Sequence, residues 1–374
     1  MDTKKVDIAI VGAGIVGLAH ALAAARRGLN VALFESDERP LGASIRNFGL
    51  PWPVGLALTP LHARALRSRA IWLEAAREAG FWLAENGSLF LAYHPDEEAV
   101  LREFLAEAGD SNFQWLDPGQ VGLRSPAANP SGLHGGLYSA SELTVDPREV
   151  IRALPRWLEQ AYGVKLHFGT PVHAIQPPYL ETSLGVWQAQ HILLCSGPNL
   201  QTLYPKTYAN IGMTICKLQM MRFAPPSPGW WLGPTLASGL TIARYDNFAG
   251  CASVKELRNR LKRDWPEQAD WGIHVMLAQN GLGELVVGDT HEYGLAFDPG
   301  NSDAANQLIL DYLATFSSLG SLHILERWNG FYPKLDGRSE YVASPEQGVT
   351  IVQNTNGLGM TLSFGLAEEV IQTL

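Results

Sequence analysis

The stretch Val6-Asp7-Ile8-Ala9-Ile10-Val11-Gly12-Ala13-Gly14-Ile15-Val16-Gly17 decides the fold of this chain. Val6 to Val11, apolar but for Asp7, reads as a strand, and Ile15 to Arg27 continues as a helix rich in alanine and leucine. Between them the glycines keep G-x-G-x-x-G spacing. Gly12 permits a tight turn, Gly14 lets a pyrophosphate approach the backbone, and Gly17 lets helix pack on strand. The helix N-terminus, with Ile15 and Val16 in its first turn, then directs its partial positive charge at the phosphates. Val31 to Glu35 is a second buried strand, and Glu35 ends it where an acid can hydrogen-bond a ribose hydroxyl. An acid there disfavours a 2′-phosphate. Strand, turn, helix, strand and acid in this order predict a dinucleotide-binding βαβ unit, without separating NAD from FAD.

The run Ile8 to Ala25 is apolar apart from His20 and imitates a signal peptide or a membrane span. Clustered glycines argue against a span, and Arg26-Arg27 follow the run, whereas a signal peptide carries its charge before it. A cytoplasmic chain without membrane insertion is expected. Cys195, Cys216 and Cys251 are widely spaced with no CxxC pair, so they read as reduced, buried thiols, and no metal-binding cluster is visible. A chain of 374 residues exceeds one hydrophobic core and predicts two lobes. Its net charge of −9 argues against a nucleic-acid partner, and an anionic substrate would need a local basic pocket.

Short strands and amphipathic helices alternate along the chain. Helices are predicted over Leu61–Ala79, Asp96–Ala108, Arg148–Tyr162, Ser302–Ser317 and Ser363–Thr373. Strands are predicted over Val164–Phe168, Val172–Ile175, His191–Cys195 and Val349–Gln353. From Gly212 to Gly288 longer strand-like runs appear, such as Met213–Phe223 and Leu285–Gly288. They suggest an inserted, mainly antiparallel sheet roofing a pocket. The expected fold is α/β, with a Rossmann-like dinucleotide lobe built discontinuously from 1–80, 140–210 and 325–374. Residues 81–139 and 211–324 form the substrate lobe.

Four segments together resemble the FAD-dependent D-amino acid oxidase, glycine oxidase and sarcosine oxidase group. They are the glycine motif, Gly42-Ala43-Ser44-Ile45-Arg46-Asn47-Phe48-Gly49, His191 to Pro198, and Trp328-Asn329-Gly330-Phe331-Tyr332 followed by Asn356-Gly357-Leu358-Gly359-Met360-Thr361. The resemblance covers nearly the whole chain. It implies FAD contacts at Ser44, Arg46, Asn47, Val172, Ser196, Gly197, Gly330, Gly357, Leu358, Gly359, Met360 and Thr361. A second Gly-x-Gly before the last helix would offer backbone N–H groups and a helix dipole to negative charge on the flavin ring. The string Ala43 to Gly55 resembles a subgroup linked to aminophosphonate breakdown.

Departures from the family narrow the substrate. Glycine oxidase-like members clamp a carboxylate with an arginine after W-x-G-x and another before the last helix; Tyr332 and about Gly357 stand there. The cysteine that carries covalent FAD in sarcosine oxidase-like members is matched by Gly330, and no cysteine lies beyond Cys251, so non-covalent FAD is expected. The lysine just after their second glycine motif is matched by Thr361. Arg46 in the flavin-side loop, Tyr332, Arg244, Tyr245 and His291 on the expected roof strands, and Lys334 after the W-x-G segment are the candidates to hold a small anionic amine such as 2-aminoethylphosphonate. Trp52 and Trp328 are candidate pocket walls. Hydride transfer to flavin gives an imine that hydrolyses to an aldehyde, with oxygen the expected electron acceptor. The alternatives are a glycine, sarcosine or D-amino acid oxidase, or a dehydrogenase using a carrier.

Overall fold

Lys4–Val11 is an interior strand that pairs in parallel with Val31–Phe34 on one side and Gly185–Leu194 on the other. Ile8, Ala9 and Ile10 are wholly buried, as a strand covered on both faces requires. The structure is a computed structural model and describes residues 4–109 and 112–374. Among these, the first sheet runs Glu340–Glu346, Val349–Asn354, Gly185–Leu194, Lys4–Val11, Val31–Phe34, Lys165–His167. The strands Val172–Gln176 and Tyr179–Thr182 extend it as a side hairpin on Gly185–Leu194.

Helices Ile15–Arg26 and Gly359–Gln372 cover one face of this sheet and share a core containing Leu18, Leu22, Phe364 and Leu366. Each such side chain contributes about 1.5–3 kcal/mol by leaving water. His20, the polar interruption of the apolar run, is a core residue. Its Nδ1 lies 2.7 Å from the Val16 carbonyl, and burial pulls its pKa down to about 4, so it is neutral. No described helix is long and apolar enough to cross a membrane.

The second sheet runs Glu292–Gly294, Thr214–Phe223, Leu285–Gly288, Met276–Gln279, Thr235–Ala237, Ser88–Ala92, Gly135–Ser139, Phe113–Leu116. All its pairings are antiparallel except Thr235–Ala237 with Ser88–Ala92. Ile324–Lys334 also joins this sheet, along nearly the whole of Thr214–Phe223. The Trp328 segment therefore lies in the roof sheet, although the sequence groups 325–374 with the dinucleotide lobe.

Two local expectations are corrected. The last helix begins at Gly359 rather than Ser363, directly at the second glycine of the pair. Arg244 and Tyr245 are not on a roof strand: Gly239–Arg244 is a short helix with Tyr245 as its C-terminal cap, and His291 sits in the turn before Glu292–Gly294. Leu240, Thr241 and Ile242 are all buried, and so short a buried run has no period by which to distinguish helix from strand.

Candidate active site

A cavity of about 550 Å³ opens beyond the C-terminal ends of Lys4–Val11, Val31–Phe34 and Val349–Asn354, where open parallel sheets place their ligands. The first glycines have separable roles. Gly12 has φ of +103°, and a Cβ there would lie 2.3 Å from the Cys195 carbonyl oxygen. A Cβ on Gly17 would lie 1.9 Å from the Gly12 oxygen. Both glycines are demanded by the fold itself. Gly14 has an ordinary φ of −68°, and a Cβ would meet only the Ser44 Oγ, at 3.1 Å. Gly14 lines the cavity, so its bare backbone serves close approach of a ligand.

Glu35 is buried at the cavity edge. Its Oε2 accepts from the Ala13 N–H at 2.9 Å, and its Oε1 accepts from the Ser36 hydroxyl at 3.1 Å and the Asp37 N–H at 3.2 Å. The carboxylate is thereby fixed against the glycine turn. Ser44 Oγ accepts from the Ile15 N–H at 2.9 Å and ties the flavin-side loop to the helix start. Val16, Asn47, Val172, Ser196 and Gly197 also line the cavity.

The second glycine turn closes the opposite wall. Gly357 has φ of +76°, Leu358 caps the last helix, and Gly357, Gly359 and Met360 line the cavity. The Met360 carbonyl accepts from Trp72 Nε1 at 2.8 Å, which anchors this helix start. Leu358 and Thr361, both expected at the cofactor, lie off the cavity wall. Thr361 Oγ1 instead accepts from the Trp52 N–H at 3.0 Å and holds the loop that follows Arg46. Gly330 lines the cavity, and a Cβ there would sit 2.8 Å from the Arg46 carbonyl oxygen, so glycine lets the loop approach the strand.

Arg46 lines the cavity, but its Nε donates to the Leu41 carbonyl at 2.8 Å and its Nη1 to the Asn329 carbonyl at 3.1 Å. Its fork is largely committed to main chain, joining the loop to the roof strand. Trp52 is buried against Phe90 and Tyr245, and Trp328 packs under Arg148; neither lines the cavity.

Tyr332 is the wall shared with a second group of residues. A Cβ on Gly357 would lie 3.7 Å from its ring, and its other side faces His291, ring centroids 6.5 Å apart. Burial pushes the Tyr332 phenol well above its usual range, so it stays neutral. Behind it lie Tyr245, Arg244, Tyr293, His274, Asp289 and His291. The His274 and His291 rings stack 5.2 Å apart, and Tyr245 edges onto His274 at 5.7 Å. Arg244 is exposed, donates to the Tyr293 hydroxyl at 3.3 Å, and interacts electrostatically with Tyr332 and Asp289. It makes no ion pair among the described residues. Lys334 is paired to Asp336 at 2.7 Å.

His274, Asp289 and His291 form a cluster the sequence did not reveal, since two loops and a strand end bring them together. Their donor atoms lie within 4.8 Å of one another, a composition that holds metals in other proteins. The imidazole planes are inclined by 24°, and His291 Nδ1 donates to the Gly272 carbonyl at 2.9 Å. Burial pushes Asp289 up to about 7 and holds both histidines well below their usual range, with Arg244 further lowering the histidines.

Sequence reasoning also missed Cys195, Thr170, His173, Gln353 and Asn354 on the cavity wall. Gln353 and Asn354 end a strand beside the second glycine turn, and that position was the available signal. The Cys195 thiol is pushed up to about 12 by burial, so it is not a reactive thiolate.

The two glycine turns, each opening a helix onto one elongated cavity with Glu35 at one end, fit a two-part nucleotide such as FAD, pyrophosphate at the first turn and ring at the second. The chain is 25% identical over 301 residues to glycine oxidase of Geobacillus kaustophilus (strain HTA426), a match spanning 72% of this chain and 80% of that protein. The crystal structure of the Geobacillus kaustophilus glycine oxidase superposes with a TM-score of 0.78 at 22% identity, covering 100% of this chain and 95% of that one. L-alpha-glycerophosphate oxidase from Mycoplasma pneumoniae, determined with FAD bound, superposes with a TM-score of 0.76 at 16% identity, covering 100% and 96%. The pattern of the DAO family of FAD dependent oxidoreductases matches residues 7–373, and the chain belongs to that family: it is an FAD-dependent oxidoreductase.

Proposed function

We propose that this enzyme oxidises a small amine carrying a tetrahedral dianion, 2-aminoethylphosphonate or its N-methyl derivative. The products are phosphonoacetaldehyde, ammonia or methylamine, and, with oxygen as acceptor, hydrogen peroxide. We place it in the cytoplasm, where its three free, buried cysteines would stay reduced. The observation that carries the reading is Arg244. It is a guanidinium that makes no ion pair among the described residues, with the Tyr293 hydroxyl at 3.3 Å and Tyr332 nearby, and Tyr332 also walls the cavity. Such a cation with neutral donors around it suits an anion presented by a ligand. Arg46 then serves as a positioning residue, because its Nε and Nη1 hold main-chain carbonyls.

Bound FAD supplies a non-covalent two-electron acceptor for hydride. The chain's own part is to orient and to keep the site dry. Tyr332, neutral and mostly buried, places a hydroxyl between cavity and anion subsite. Leu218, Phe331 and Met360 line the cavity with apolar surface that excludes water.

A second reading, glycine or sarcosine oxidation, is favoured by the similarity to glycine oxidase. The test is kcat/KM for 2-aminoethylphosphonate and its N-methyl form against glycine, sarcosine and D-alanine. The proposal expects the phosphonates to lead; faster turnover of any carboxylate refutes it and supports the second reading.

A further inference from the structure

Gln353 and Asn354 end the strand Val349–Asn354 at the cavity wall, with side chains on opposite faces of the sheet. The Gln353 side chain is committed: its Nε2 donates to the Ser196 hydroxyl at 3.1 Å and to the Gly197 carbonyl at 3.1 Å. Asn354, only 6% exposed, is engaged at one end alone. Its Oδ1 accepts from the Ser363 hydroxyl at 3.0 Å, while Nδ2, also buried, has no hydrogen-bond partner among the described residues. Trp52, Asp289, Trp328 and Asn329 carry orphaned buried atoms too, but none of them lines the cavity. Among the described residues Asn354 alone both lines the cavity and carries such an atom. An unpaired amide end in a protein interior is destabilising, so a chain that keeps one at a cavity wall calls for a ligand to pair it.

Position selects the part of the ligand. Ser363 lies one turn into the last helix, and its Oγ is also 2.5 Å from the Gly359 carbonyl oxygen. One hydroxyl proton then faces two acceptors. Turning the Asn354 amide over lets Nδ2 donate to Ser363 Oγ and leaves Oδ1 spare instead, so in either orientation one end is tied and the other is spare. A Cβ on Gly359 would lie 3.5 Å from Ile15 Cγ2, so the first and last helices start against one another. Asn354 therefore stands beside the junction of the turn that suits pyrophosphate and the turn that suits the ring. In FAD those two parts are joined by the ribityl chain, whose hydroxyls each donate and accept.

We propose that the spare end of the Asn354 amide hydrogen-bonds a ribityl hydroxyl of FAD, making Asn354 a cofactor-binding residue that sets where the ring rests along the cavity. A hydroxyl suits this place better than a phosphate. It pairs with the amide in either orientation, whereas phosphate oxygens accept only from Nδ2, and the helix starts already offer backbone N–H groups to negative charge. The inference rests on FAD binding alone and is independent of which amine is oxidised.

The test equilibrates holoenzyme with mixtures of FAD and an analogue lacking the 2′-, 3′- or 4′-hydroxyl of the ribityl chain; the bound cofactors are then released and separated. Wild type should hold FAD about ten-fold more tightly than one of these analogues, the worth of one buried hydrogen bond. Asn354→Ala should bind FAD about ten-fold more weakly than wild type and should take FAD and that analogue equally. A variant that binds FAD as wild type does overturns the proposal. So does one that is weakened yet still discriminates against the same analogue, because a packing role lowers affinity for every cofactor alike. Wild type that takes FAD and all of the analogues equally overturns it without any variant, which keeps the test decisive if Asn354→Ala fails to fold.

Discussion

Replacing Gly14 by alanine separates what the fold needs from what the cofactor needs. The backbone there has φ of −68°, and the new methyl would meet only the end of the Ser44 side chain, at 3.1 Å. The apoprotein should be unharmed or gain about 0.4–1 kcal/mol from a stiffer unfolded chain. The cofactor loses its close approach. Forfeiting one hydrogen bond to a charged group costs about 1.5–3 kcal/mol, which weakens FAD binding about ten- to 150-fold. Gly12→Ala is the control. Its positive φ and the Cys195 carbonyl oxygen at 2.3 Å force the backbone to move, so apoprotein stability and FAD binding should fall together. Thermal melts of the apoproteins and fluorescence titration with FAD measure the two effects. Unchanged FAD affinity in Gly14→Ala would refute the assignment of the first turn to pyrophosphate.

FAD should be released intact on acid precipitation, because no cysteine lies beyond Cys251 and the cavity cysteine, Cys195, is a neutral buried thiol; colour left on the pellet contradicts this. Arg244→Ala should lower kcat/KM for 2-aminoethylphosphonate by about thirty-fold or more, the cost of about 2–5 kcal/mol for losing a charged partner, with little change in FAD binding; a threefold effect or less removes Arg244 from the anion subsite. Asp289 carries its proton to about 7 in the folded state against 3.8 unfolded, so its contribution to stability is complete below pH 3.8 and is lost as pH rises through about 7. The slope in that window is about 1.4 kcal/mol per pH unit, so Asp289→Asn should gain about 2–3 kcal/mol on wild type between pH 5 and pH 8, read from denaturant melts; parallel pH dependences would show that the carboxyl is not desolvated.

The dinucleotide lobe was legible because its determinants are local. The glycine spacing, the apolar strand and Glu35 lie within one short segment, and each has a steric or electrostatic reason to be there. The second glycine turn was legible for the same reason, although its helix starts at Gly359, four residues before the amphipathic pattern suggests. The roof was harder. Gly239–Arg244 is too short and too buried to show a period, and Ile324–Lys334 pairs with a strand a hundred residues earlier, which no local pattern encodes. Arg46 was singled out as a charge near the flavin, but sequence cannot show that its donors face the Leu41 and Asn329 carbonyls. The trio His274, Asp289 and His291 is a tertiary product, and its burial, which sets its protonation, has no signature in single residues.

The most direct measurement is the visible absorbance of the purified holoenzyme under anaerobic conditions as amines are added one at a time. A yellow protein carrying stoichiometric FAD, bleached by 2-aminoethylphosphonate or its N-methyl form at lower concentration than by glycine, sarcosine or D-alanine, is the predicted result. A flavin that no amine bleaches would contradict amine oxidation altogether.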